Sequence, residues 1–161
     1  MRVRVCLLLA LLLTAAPAGT SVHGHQCMYV AGTVGGLAAN TIGTLDWSDK
    51  EGLIFVARLS AAPDAGKHVE LFAWDRVESL IYGENVNTRW TVAISTRFGA
   101  PFNTRRRHFL TVAFEDSQGH PGGAMLEFAK NDINSALVII EARTGRKVQF
   151  ESADAEAHLH G

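Results

Sequence analysis

The chain has almost no cysteine, no excess of positive charge, no second apolar run of membrane length and no motif of a catalytic centre. Each absence removes a class of function. Of the two cysteines, Cys6 lies in an apolar leader. Cys27 therefore has no partner in the remainder of the chain, and no internal disulfide can staple it. Cys27 is not a lipid-attachment site either, because Gly24-His25-Gln26 precedes it in place of small apolar residues. Fifteen Lys and Arg face sixteen Asp and Glu, and loss of Arg2 and Arg4 with the leader leaves a charge of about −3. Nucleic-acid binding needs a surplus of basic groups to replace phosphate counterions, so nucleic acid is an unsuitable partner. Ser60, Ser95, His108 and Asp116 are present, but their spacing forms no nucleophile elbow or related arrangement. The chain is accordingly read as a non-enzyme with no cofactor and no dedicated metal site.

What is present begins with an address. Met1-Arg2-Val3-Arg4 places two positive charges ahead of the apolar stretch Val5 to Leu13. A spanning helix needs about 20 apolar residues, so this stretch is too short to cross a bilayer comfortably. Ala16-Pro17-Ala18 then offers small side chains where a signal peptidase accepts them. The expectation is a bacterial-type secretory signal over residues 1–18, cleaved after Ala18, and an exported protein, periplasmic or extracellular. Residues 19–27 read as a flexible lead-in, 28–151 as one domain and 152–161 as a flexible tail.

Within that domain the periodicity is that of strands. Candidate strands are Thr41–Trp47, Leu53–Leu59, His68–Trp74, Val77–Gly83, Trp90–Thr96, Arg107–Glu115 and Gly123–Phe128. Ser48–Gly52 and Asp116–Gly119 read as turns, and Ala62–Lys67 as a loop. The pattern then changes: Ile133, Ala136, Leu137 and Ile140 recur at helical spacing. Asn131 or Asp132 is placed to cap that helix, and Gly145 to end it. Lys147–Phe150 follows as a short strand candidate. Strands in series followed by one late helix predict a mainly β fold: a bent seven-stranded sheet, or partly open barrel, capped by a C-terminal amphipathic helix.

An ordered series of short motifs agrees with that architecture. They are Tyr29-Val30-Ala31-Gly32-Thr33, Gly43-Thr44-Leu45-Asp46 leading to Leu53-Ile54-Phe55, Arg76-Val77-Glu78-Ser79-Leu80-Ile81-Tyr82-Gly83, Arg107-His108-Phe109-Leu110-Thr111-Val112, Glu127-Phe128-Ala129-Lys130-Asn131-Asp132 and Glu141-Ala142-Arg143-Thr144-Gly145-Arg146-Lys147-Val148. Through them, over about Tyr29 to Phe150, the chain resembles a group of bacterial, often exported, pleckstrin-homology-like (PH-like) domains. The resemblance implies a binding or scaffolding module and carries over no catalytic residue.

Candidate contacts follow from charge and exposure. Arg105, Arg106 and Arg107 form the densest charge in the chain, with Phe98 and Phe102 just before them. Such a loop suits an anionic lipid surface, where each basic side chain contributes about 1 kcal/mol. Phosphoinositide binding is a poor fit, because Ser48-Asp49-Lys50-Glu51-Gly52 offers two acids and one base where ring phosphates would need clustered Lys and Arg. His23, His25 and Cys27 near one end, and His158 and His160 near the other, lack structural zinc spacing. Trp47, Trp74 and Trp90 are expected in the core. The favoured partner follows from the resemblance: PH-like folds commonly take a protein or peptide segment along an open sheet edge beside the C-terminal helix, which implies a groove between Trp90–Thr96 and Asp132–Arg143.

Overall fold

The structure, a computed structural model, describes residues 25–59, 62–84 and 108–160. It is mainly β: one eight-stranded mixed sheet with two α-helices among the described residues. The strands are β1 (Gln26–Gly32), β2 (Thr41–Asp46), β3 (Gly52–Leu59), β4 (Ala62–Ala73), β5 (Val77–Gly83), β6 (His108–Glu115), β7 (Pro121–Phe128) and β8 (Val148–Phe150). Helix α1 spans Lys130–Thr144 and α2 spans Ala153–His160. The strand order is β4-β3-β2-β1-β7-β6-β5-β8. Two antiparallel meanders, β1–β4 and β5–β7, are thus joined where β1 pairs with β7, and β8 is added parallel to β5.

A single 3-10 turn, Trp74–Arg76, carries the chain from β4 at one edge to β5 beside the other. So short a link requires the sheet to curve until its two sides approach. The Phe72 and Phe114 rings meet across that approach with centroids 5.6 Å apart. Among the described residues the ladder does not close, since β4 pairs there with β3 alone. The concave side holds the main core, in which Leu45, Leu53, Phe55, Leu80, Tyr82, Leu110, Val112 and Leu126 are buried. Val30, Ala31, Phe109 and Met125 form a smaller cluster.

Three elements depart from the sequence reading. Among the described residues the count is eight strands rather than seven, and β1 begins at Gln26, inside the segment read as a lead-in. Its residues are apolar on both faces, with Cys27 and Tyr29 in the main core and Val30 in the second cluster, which hides the two-residue period. The Ala62–Lys67 segment read as a loop belongs to β4, because an edge strand is bonded on one side only and tolerates Pro63 and Gly66. The candidate strand Trp90–Thr96 lies outside the described residues. The terminal segment read as a tail forms α2, whose start is capped by Ser152 Oγ accepting from the Ala155 N–H at 3.1 Å.

Helix α1 buries Ile133, Ala136, Leu137 and Ile140, the four residues of the predicted stripe. Its N-cap is Ala129, with no side-chain cap, rather than Asn131 or Asp132. Asp132 instead sits in the first turn, where a carboxylate complements the helix dipole, and lies 3.6 Å from His25 Nδ1. At the far end Gly145 adopts φ 67° and donates its N–H to the Glu141 carbonyl at 2.9 Å. Arg143 donates to the Trp47 carbonyl at 3.1 Å and lies 5.9 Å from the Trp74 ring centroid. Arg146 donates to the Val77 carbonyl at 3.0 Å. These bonds fasten the helix across the ends of β2 and β5.

Candidate functional site

Phe98, Phe102, Arg105, Arg106 and Arg107 lie outside the described residues, as does the Trp90–Thr96 side of the expected groove. The strand that follows them in sequence, β6, starts at His108. On the side of α1 the outer flank of β5 is already filled by β8, the edge strand there among the described residues.

Three residue pairs make that junction: Leu80 with Val148, Ile81 with Gln149, and Tyr82 with Phe150. Glu141 on α1 anchors it, accepting from the Val148 N–H at 2.8 Å and from Lys147 Nζ at 3.4 Å. The Glu151 N–H donates to the Tyr82 carbonyl at 2.9 Å. Phe150 stands edge-on to the Tyr82 ring, with centroids 5.9 Å apart and planes at 74°. Beneath it, Tyr82 is fully buried and its Oη is 2.6 Å from His108 Nδ1. Burial, with the nearby charge of Glu84, pushes the phenol up to about 12. Burial also holds His108 below its ordinary range, reinforced by Lys130 and opposed by Glu84. A protonated phenol beside a neutral imidazole suits donation from Oη to Nδ1.

The opposite edge, β4, is twelve residues long and pairs with β3 alone among the described residues. Its last residues, Glu70–Ala73, border a cavity of about 420 Å³. Val34, Phe72 and Phe114 supply apolar lining, and Arg76, Asp116 and Ser117 supply polar lining. The polar groups are held in place. Arg76 donates to the Asp116 carbonyl, and the Asp116 carboxylate accepts the His120 and Gln118 backbone N–H groups at 2.9 and 2.7 Å. Those bonds keep the Asp116 carboxyl below the usual carboxylate range. The sequence reading missed this cavity. It gathers residues from β4, the β1–β2 connection and the β6–β7 turn, which no local pattern links.

No family model, curated protein or solved structure matches the chain. Its chemistry is therefore argued from its own residues. Among the described residues no group of three or more His, Cys, Asp and Glu converges on a metal-sized site. His25 faces Asp132, while Cys27 points into the core, where burial pushes its thiol up to about 12. A thiol so held is neither a ligand nor a nucleophile at neutral pH. Trp47 and Trp74 are core residues, and Trp90 lies outside the described residues. No described helix is long and apolar enough to cross a membrane. What the described surface offers is two sheet edges, one open beside a cavity and one occupied beside a helix. Both supply main-chain donors and acceptors to an extended segment.

Proposed function

We propose that the chain is an exported, non-enzymatic binding module of PH-like architecture, which captures an extended segment of a protein or peptide partner along the free edge of β4. The architecture is supported by seven successive antiparallel strands followed by one amphipathic helix fastened across the end of a curved sheet. One observation carries the binding reading: a twelve-residue edge, paired on one side among the described residues, runs directly into a cavity. Strand addition takes affinity from main-chain hydrogen bonds and specificity from pockets that receive alternate side chains. An edge bordering a pocket meets both needs. Export rests on the leader at residues 1–18.

The test is a crosslinked pull-down from cell-envelope extract, with bound proteins and lipids both identified, using the wild-type chain and His68→Asp. His68 is an exposed residue of β4, and charge on an edge discourages pairing. One enriched protein is expected, with recovery reduced at least about tenfold by the variant at an unchanged melting temperature. Equal recovery by the variant moves the site off β4. Anionic lipid enriched without protein points instead to membrane docking through Phe98, Phe102 and Arg105–Arg107.

A further inference from the structure

The edge of β5 differs in kind from that of β4, because the chain itself already occupies it. Val148–Phe150 lies along it in parallel, joined to α1 by Gly145–Lys147. A structure in which an extended segment sits on an edge beside a helix shows what that edge accepts. Val148 and Phe150 are half-buried against the core, Gln149 is exposed, and Glu151 places its carboxyl against Gly83. Glu141 receives the first N–H of the segment, and the Tyr82 carbonyl receives an N–H at its end.

The floor beneath has supports of its own. Tyr82 is held from below by His108, and the β5 ladder to β6 runs from Val77 to Gly83. The segment itself is paired over a short span. Its ladder is three residues long and parallel, the arrangement slightly less stable per residue. Beyond it, within α2, Ala155 is buried, and the Asn134 side chain donates to the Leu159 carbonyl at 3.4 Å. An arm paired over so short a ladder is expected to open locally, at a free energy below that of global unfolding.

We propose that Val148–Glu151 is a displaceable internal occupant of the β5 edge. A partner segment with the same succession, aliphatic, variable, aromatic, acidic, takes its place in parallel with β5. The arm then acts as a cover that a competing strand must outbind. Displacement at β5 goes beyond capture at β4 and concerns a different edge, so the His68→Asp experiment does not report on it.

Two measurements on the full chain test it. The first is fluorescence anisotropy with a labelled peptide of residues 147–152, titrated into the wild type and into the arm variant Val148→Asp/Phe150→Ala. The variant is expected to bind the peptide at least about tenfold more tightly than the wild type, because its own arm competes less. A scrambled peptide should bind neither. Equal affinity for both proteins, or no binding to a variant that still melts cooperatively, overturns the proposal. The second needs no variant: hydrogen exchange of the wild-type Val148 and Glu151 amides compared with the Leu110, Val112 and Leu126 amides. The arm amides should exchange at least about a hundredfold faster. Exchange at the core rate means that the arm leaves only when the whole domain unfolds, and that result also overturns the proposal.

Discussion

Gly145 shows how much one backbone dihedral can matter where side-chain packing is silent. Its φ of 67° lies in the left-handed region, and nothing lies within 4 Å of where a Cβ would stand. A side chain there meets no clash, so a substitution reports backbone strain alone. Gly145→Ala is expected to cost about 1 kcal/mol in urea unfolding, and Gly145→Asn less, since asparagine visits that region more readily. Equal losses for the two variants would mean that the closing turn is not held in that conformation. This glycine was legible in the sequence, because a helical stripe that ends needs such a residue just past its end. Ser152 was legible in principle, with Asp154 and Glu156 following it as first-turn acids. The short, weakly apolar helix behind it gave that signal little to stand out against.

At the scale of the element, α1 is held by polar bonds from its last turn as well as by its buried stripe. Arg143 bridges the Trp47 carbonyl and the Trp74 ring. Arg143→Ala should destabilise the protein by about 2 kcal/mol, because it removes a charge-assisted hydrogen bond and a cation–π interaction at once. Arg143→Lys should recover only part of that stability, because a lysine lacks the planar fork. Full rescue by lysine in urea unfolding would show that charge alone matters there. The stripe was readable because a helix packed on one side repeats its burial every three to four residues. The start of β4 was not, because an edge strand is relieved of one row of hydrogen bonds and admits residues that usually mark loops. The β5–β8 junction was not readable either. Val148 meets Leu80 through folding of the whole chain, and a local period carries no information about such a meeting.

At the scale of the molecule, buried weak acids shape its behaviour in alkali, Tyr29 in direction and Cys27 and Tyr82 most strongly. Burial raises the Cys27 thiol from 9.0 to about 12, and burial with the Glu84 charge raises the Tyr82 phenol from 10.0 to about 12. Both groups hold their protons more tightly in the folded state than in the unfolded one. Their contribution is intact below pH 9, and stability falls as the pH rises from 9 towards 12. Urea midpoints measured from pH 7 to 11 should fall above pH 9, and Cys27→Ala should flatten the first part of that fall. A wild-type curve level to pH 11 would contradict the burial of both groups. The union of β1 with β7 bears on a different property, the speed with which the chain finds this structure. Cys27 stands opposite Phe128 at the centre of the sheet, so the seam between the two meanders joins segments about a hundred residues apart in sequence, a longer search than a hairpin needs. Loop-closure entropy is lost before that seam gives anything back. The joining of that seam, rather than the making of any one hairpin, is expected to limit the rate of folding.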